Sequence, residues 1–571
     1  MENINDYMPL SPDWNRERLE KLKELFPDLF TNEGQLNIDE LKKVIDPQSV
    51  TETERYEFRW FGKSAAKRNA FTPSNATLQF DPDRSVNPAE SENLIIEGEN
   101  LEVLKLLSNS YRGAIKCIYI DPPYNNGGDF VYNDNFDIDK KPYWEQTEVT
   151  ENGIKIDTNT ATNGRYHSNW LDMMYSRLLI ARQLLRDDGV IFISIDENEV
   201  HHLRKLCEDV FGEENYAGEI IWKNSSKNDQ AYISIQHEYI LCFLKNKQEN
   251  TGLWQERKEG LWEIYQAFDR FSKKHGTDWK AIHAEALEWF KQFPESNPIW
   301  SSKHYSWMDE KGIYFPADIS GPNYGQYRFD VIHPITGKIC KEPASGWRFP
   351  PETMKQRMKD NLVHFGEDET TIPNNKTYLK DTEFQSLTSV KYRDGRVASK
   401  KLIALLGGNF FTNPKDHEIL MQLFKAVNIK ENDIVLDFFG GSGTTGQALL
   451  ELNNEDNGRR KFILVQIPEA TGENSEAYKI GYKKISEITI ERNKRVVENL
   501  INENKEKAPD LFSDESSNDE TLKGLGFKVF KLVKSNFPRT EFAPDPEKTD
   551  DENVELLKKY IAEKETQLVS A

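Results

Sequence analysis

Apolar residues fall into helix-spaced and strand-spaced blocks that alternate along the chain. Leu19, Leu22, Leu25, Phe26 and Leu29 stand at three- and four-residue steps, so residues 1 to about 50 predict helix. A polar, proline-spotted stretch follows to about residue 93. Leu94 opens a helix-like segment that leads into the apolar run Ile115 to Ile120, which reads as a buried strand ending at Asp121. Trp170, Leu171, Met173, Met174, Leu178, Leu179, Leu184 and Leu185 then trace one helix face, stopped by Asp187, Asp188 and Gly189. Val190 to Ile195 reads as the next strand, and the segments around Glu219 to Trp222 and Tyr239 to Leu244 as two more. Strand, helix, strand is the rhythm of a parallel α/β sheet.

From about residue 251 to 400 that rhythm stops. Trp254, Trp262, Trp279, Trp289, Trp300, Trp307 and Trp347 fall here among Gly, Pro and polar residues, which predicts a separate domain inserted into the sheet's sequence. The rhythm then resumes with a helix near His417 to Val427, a strand from Ile434 to Phe439, a glycine turn, a helix, and a strand from Phe462 to Ile467. The acidic run Asp510 to Glu520 reads as a solvated linker. Beyond it, Gly526 to Phe537 alternates as a strand does, and Val554 to Leu568 predicts a terminal helix. The expected organisation is a helical region over 1–93, the first half of the sheet over 94–250, the insertion over 251–400, the second half over 401–503, and a linker with a terminal region over 504–571.

At 571 residues the chain exceeds a single core, and 37% hydrophobic with 30% charged residues is the composition of a soluble protein. No apolar run is long enough to span a bilayer, and the opening MENINDYMPLSPDW lacks the basic-then-apolar pattern of a secretory signal, so a cytoplasmic location is expected. Cys117, Cys207, Cys242 and Cys340 are scattered without C-x-x-C spacing, which suggests buried thiols rather than a zinc site or disulfides. A net charge of -21 argues against a protein that coats nucleic acid indiscriminately, because phosphate contacts need local Lys and Arg. Lys376 to Lys401 is the exception, with Lys376, Lys380, Lys391, Arg393, Arg396, Lys400 and Lys401 against Asp381, Glu383 and Asp394, a net of +4. This stretch reads equally as a backbone-following surface or as an ordinary basic one.

The candidate chemistry sits at two strand ends. In Asp121-Pro122-Pro123-Tyr124 the rigid prolines fix the backbone so that the Asp121 carboxylate and the Pro122 carbonyl converge on one small site. Two acceptors there would take both hydrogens of an exocyclic amine and stabilise its developing positive charge, while Tyr124 offers a face for the attached base. The second motif, DFFGGSGTT from Asp437 to Thr445, follows an apolar strand, and its glycines let backbone approach a ligand at a helix N-terminus.

DPPY followed by DFFGGSGTT, together with NLIIEGENLEVLKLL, GDFVYNDNF, LFPDLF and GFKVFKLVKSNF, resembles the modification (Mod) subunit of type III restriction-modification systems, a β-class DNA adenine N6-methyltransferase. The resemblance covers nearly the whole chain and is weakest in the middle third. It implies an α/β fold: a Rossmann-like S-adenosylmethionine-dependent methyltransferase sheet with permuted motif order, an inserted target-recognition domain and terminal extensions. Asp121, Pro122, Pro123 and Tyr124 would be catalytic. Asp437, Phe439, Gly441, Ser442, Gly443 and Thr444 would bind the cofactor S-adenosyl-L-methionine, with Phe411 of FTNPKD closing the pocket or serving as plain core. Phe438 and Asp416 stand where the family usually has proline, and the ribose-binding acid is replaced by Gln466, with Glu469 three residues on as the other candidate. The implied partners are double-stranded DNA, a second copy in a homodimer, and an ATP-dependent restriction (Res) helicase-nuclease subunit.

Several classes are excluded or kept open. There is no phosphate-cradling G-x-x-x-x-G-K-[ST] loop, no Pro-Cys pair for C5-methylcytosine chemistry, and no second His four residues after His237-Glu238 to complete a zinc protease motif. No metal site is expected, and His201-His202 reads as an exposed helix start. Methylation of cytosine N4, of RNA or of a protein amide, and an idle DNA-specificity module, share enough of the logic to stand as alternatives.

Overall fold

The computed structural model describes residues 22–23, 58–126, 166–225, 232–295, 297–322, 326–507, 524–535 and 554–559. The chain divides into two compact units, Met1–Arg59 and Trp60–Ala571. In the first, residues 22–23 are helical, and the rest of the helix expected near Leu19 to Leu29 lies outside the described residues.

The second unit is built on one ten-stranded sheet. Its spatial order is β1 (Ala76–Val86), β16 (Phe527–Lys534), β2 (Leu94–Glu97), β15 (Lys461–Gln466), β14 (Ile434–Asp437), β3 (Ile115–Ile120), β4 (Leu185–Ile195), β6 (His237–Leu244), β5 (Tyr216–Lys223) and β13 (Val390–Tyr392). The six strands from β16 to β4 run parallel, β6 is antiparallel to both its neighbours, and β1 is antiparallel to β16. The central strands are apolar throughout because both faces are covered; every residue of β3 is buried. Cys117 and Tyr119 of β3 join a core with Leu423 and Phe424 of the helix His417–Ala426, Leu449 and Leu452 of the helix Thr444–Asp456, and Val497 and Leu500 of the helix Ile485–Lys507. Among the described residues no helix is long and apolar enough to cross a membrane.

Two expectations change at the sheet's far edge. Leu94–Glu97 is a strand, not the start of a helix, since Ile95 and Ile96 are fully buried between β15 and β16. The helix begins at Asn100, where the Glu99 carboxylate caps it by accepting the Leu101 and Glu102 N–H groups. The proline-spotted stretch before residue 93 contains β1, and an edge strand tolerates Pro82 where the register with β16 shifts between Asp81 and Val86. The alternating segment after Gly526 is indeed a strand, and it lies inside the sheet rather than beyond it.

The inserted span divides. Its neck is β7 (Gln255–Arg257) paired with β12 (Phe384–Ser386). Between them the helices Leu261–His275 and Trp279–Phe290 share a core with Ile299 and Leu379, while Ile319, Trp347 and Met354 form a second one. A small antiparallel sheet in the order β10 (Val363–His364), β11 (Asn374–Tyr378), β9 (Gly312–Ala317), β8 (Trp307–Asp309) completes it. Residues 390–406, in contrast, supply β13 and a helix whose Leu402 packs with Ile488 beside the main sheet.

The basic stretch is largely neutralised within the chain. Lys376 is buried on Asp309 at 2.8 Å, Lys391 pairs with Glu256, Arg393 with Asp416 and Glu418, Arg396 with Asp394, and Lys401 with Glu418. Of the two readings, this favours the one without a phosphate backbone.

Because Phe527 is fully buried in the core and opens β16, Phe527→Ala should cost about 3–5 kcal/mol. Urea denaturation checks this; a loss below about 1 kcal/mol would mean the strand is dispensable.

Candidate active site

β14 and β3 are parallel neighbours, so both motifs emerge from the same end of the sheet. β14 then connects through the helix Thr444–Asp456 to β15 on one side, and β3 connects through the helix Tyr166–Leu184 to β4 on the other. A crevice opens where connections diverge in this way.

On the β3 side, the DPPY loop is held from behind. The indole N–H of buried Trp170 donates to the Pro123 carbonyl at 2.6 Å, and Pro122 lines the crevice. Asn125 reverses the chain with φ of 59°, a left-handed conformation that Asn tolerates, and its amide donates to the buried Glu199 carboxylate at 2.5 Å. His167 and His202 place their Nδ1 atoms 2.6 and 2.9 Å from the same carboxylate. Among the described residues this is the group whose metal-ligating atoms converge, yet each contact is at hydrogen-bond distance, so the cluster is complete as a latch behind the loop. The hydrogen bond to Glu199 raises the His202 pKa above its ordinary value.

On the β14 side, Asp437 braces the glycine turn from below. Its carboxylate accepts the Phe439 N–H at 3.0 Å and the Thr445 hydroxyl at 2.7 Å. Burial lifts its pKa to about 7; those two hydrogen bonds oppose the rise and the charge of Asp121 adds to it. Gly441 and Gly443 have φ of 52° and 83°. A Cβ on Gly443 would fall 2.4 Å from Asn493 Nδ2 and 3.0 Å from the Thr489 carbonyl, so this glycine admits the helix Ile485–Lys507. The Ser442 and Thr444 hydroxyls accept from the buried Arg492 guanidinium, each at 2.7 Å. Asn100 ties the two sides together, donating to the Phe438 carbonyl at 2.8 Å and accepting from fully buried Arg177 at 2.5 Å.

Between the two loops lies a cavity of about 610 Å³. Asp121, Pro122, Pro123 and Tyr124 line it, as do Phe411, Phe439, Gly441, Gln466 and Glu469. Asp437, Ser442, Gly443 and Thr444 do not; they hold the turn's shape instead. The Gln466 side chain accepts the Gly441 N–H at 2.7 Å and donates to the Ile467 carbonyl at 3.1 Å. The Glu469 carboxylate has no hydrogen-bond partner among the described residues, and burial lifts its pKa to about 7.

Lys415 and Glu238 also line the cavity, and sequence reasoning missed their role. The Lys415 ammonium sits 2.9 Å from Glu238 Oε2, 3.3 Å from Asp121 Oδ1 and 2.5 Å from the Tyr124 hydroxyl, and 4.7 Å from the centre of the Tyr124 ring. Asp121 Oδ1 is buried and accepts no hydrogen bond. Burial raises the Asp121 pKa, Lys415 pulls against that, and Glu238 adds to it. The available signal was a lone acid, Glu238, opening the otherwise apolar run HEYILCFL. All four cysteines are buried, and none lines the cavity.

The family model described as DNA methylase, for N6 and N4 methyltransferases, matches residues 115–503. The chain is 38% identical over 490 residues to the type III restriction-modification enzyme EcoP15I Mod subunit of Escherichia coli, covering 84% of this chain and 75% of that one. It is 32% identical to the StyLTI Mod subunit of Salmonella typhimurium, over 90% of this chain and 74% of the relative. The EcoPI Mod subunit of Escherichia phage P1 is 31% identical, over 91% and 78% respectively. A putative DNA modification methylase of Thermus thermophilus, solved with S-adenosyl-L-methionine, covers 70% of this chain and 94% of its own at 12% identity and a TM-score of 0.29. A crevice between the DPPY loop and the glycine turn, and relatives matched along most of their length, place this chain in the DNA methylase family, among the Mod subunits of type III restriction-modification enzymes.

Proposed function

We propose that this chain methylates N6 of adenine in double-stranded DNA, using S-adenosyl-L-methionine, in the cavity between Asp121 and Gly441. The observation that carries this reading is Asp121 Oδ1, a buried oxygen in the cavity wall next to Pro122 that makes no hydrogen bond and has the Lys415 ammonium 3.3 Å away. Two acceptors match the two N–H groups of an exocyclic amine. A base inside a duplex cannot reach them, so the target must be rotated out, and the Tyr124 ring supplies the surface on which it stacks.

The opposite wall fits the cofactor. Gly441 presents no side chain, Phe411 and Phe439 give apolar surface, and Glu469 offers an unpartnered carboxylate to the ribose hydroxyls. Glu469 takes that role over Gln466, whose amide is engaged by backbone at both ends. Bound there, S-adenosyl-L-methionine supplies an electrophilic methyl group. Asp121 and Pro122 orient the amine nitrogen toward it and stabilise the positive charge that develops on nitrogen. The proton then leaves along the hydrogen bond to Asp121, whose raised pKa suits it as acceptor.

Residues 255–386, with cores of their own and no residue in the cavity lining, are assigned to target recognition. The names of the Mod relatives support a restriction-modification partner, here an ATP-dependent Res helicase-nuclease. Work in the cytoplasm as a homodimer is our own extension, and β16 of the terminal region 504–571 is already committed to the sheet.

Asp121→Ala should lower single-turnover methylation by at least about 10²–10³ while leaving cofactor affinity nearly intact. Nucleoside analysis of DNA treated with the unaltered protein should show N6-methyladenine; N4-methylcytosine alone would refute the adenine assignment.

Glu469 gives a second test. With its pKa lifted to about 7, it is a charged double acceptor above that pH and a weaker one below. Cofactor affinity should therefore fall as pH drops below about 7, by up to about tenfold per unit, and Glu469→Gln should flatten the dependence. Calorimetric titration across that range decides; an identical slope in the variant would assign the ribose contact elsewhere.

A further inference from the structure

Lys415 stands where the target base must go. Its ammonium lies 3.3 Å from Asp121, the amine acceptor, and 2.5 Å from the Tyr124 hydroxyl, at the edge of the stacking ring. It is also anchored on Glu238 of β6 at 2.9 Å, on the oxygen that accepts the Tyr124 hydroxyl at 3.1 Å. Building on the reading above, we infer that Lys415 is a positioning residue: it keeps the Asp121 carboxylate ionised in the base-free enzyme, then yields its contacts to the incoming amine while Glu238 retains it.

The need for such a cation follows from what surrounds Asp121. Glu238 from β6, Asp437 from β14, and the hydroxyls of Tyr119 on β3 and Tyr124 on the loop all face the same buried region. Burial and the Glu238 carboxylate favour protonation of Asp121, opposed by Lys415 and by the Tyr124 hydroxyl, and a protonated carboxyl is a poor acceptor for an amine. Arg396 also lines the cavity but is committed to Asp394. Lys415 is therefore the cation that holds the site ready. A lysine suits the task, being a compact charge on a flexible stem that can swing between two carboxylates, whereas an arginine fork would bind one of them rigidly. Burial works against the Lys415 charge, but Asp121 and Glu238 together outweigh it and raise its pKa, so the ammonium persists at neutral pH.

An ordinary structural ion pair makes a different prediction from a charge-setting one. The test is kcat/KM for DNA against pH at saturating S-adenosyl-L-methionine, which reports the free enzyme's essential groups. In Lys415→Met the acid limb should move to higher pH by about one unit or more, so the rate falls about tenfold at a pH on the limb and recovers as pH rises. In Glu238→Gln a like charge is removed and the limb should move to lower pH. Lys415→Arg should keep the limb near its original position. Calorimetric cofactor affinity confirms that each variant is folded. A Lys415→Met loss that is equal at every pH, or limbs that move the same way in Lys415→Met and Glu238→Gln, would overturn the inference. Asp121→Ala run in parallel separates the levels: retained activity there would sink the site assignment itself, whereas lost activity with unmoved limbs would sink the role of Lys415 alone.

Discussion

The pairing of β14 with β3 is the constraint on which the rest depends. Leu436 lies opposite Ile118, so two strands far apart in sequence end side by side, each with an aspartate at or just past its carboxyl end. Two carboxylates at neighbouring strand ends repel, and the fold resolves this differently for each. Asp437 is satisfied by a backbone N–H and a hydroxyl and has its pKa lifted to about 7. Asp121 has one buried oxygen that makes no hydrogen bond and is balanced by a lysine 3.3 Å from it. Different environments give like groups different work: one holds the turn's shape while the other meets the substrate.

Around that pairing the sheet gathers strands from distant parts of the chain. β16, after the acidic run, slots between β1 and β2, and β13 returns from the insertion to extend the opposite edge. The insertion itself leaves and re-enters through the β7–β12 neck. Such a module can change its surface without disturbing the cavity, because its cores are separate and none of its residues line the site. This separation suits a protein that must apply one chemistry to a particular DNA sequence.

Much of this was legible in the sequence because its signals are local. The run Ile115 to Ile120 ending in Asp121, and Ile434 to Asp437 running into the glycine turn, announce strand ends by hydrophobicity followed by Pro or Gly. What was not legible depends on contacts across the fold. Leu94–Glu97 is too short for periodicity to distinguish strand from helix, and only its place between β15 and β16 decides. The cations from Lys376 to Lys401 counted as a basic surface until Asp309, Glu256, Asp416 and Glu418 were seen to meet them. Ser442, Gly443 and Thr444 carry the family's lettering, yet they face Arg492 and Asn493 of a helix some fifty residues on. Lys415 was read as part of a pocket-closing element, and nothing along the chain tied it to Asp121.

The central claim is that an exocyclic amine replaces Lys415 at Asp121. The most direct test is a crystal structure of the chain with a non-reactive cofactor analogue and duplex DNA carrying its target adenine. The account predicts a base rotated out onto Tyr124, with N6 at hydrogen-bond distance, about 2.7–3.2 Å, from both the Asp121 carboxylate and the Pro122 carbonyl, and the Lys415 ammonium withdrawn to Glu238. A target base seated elsewhere, or an amine whose acceptors are other residues while Lys415 remains on Asp121, would contradict it.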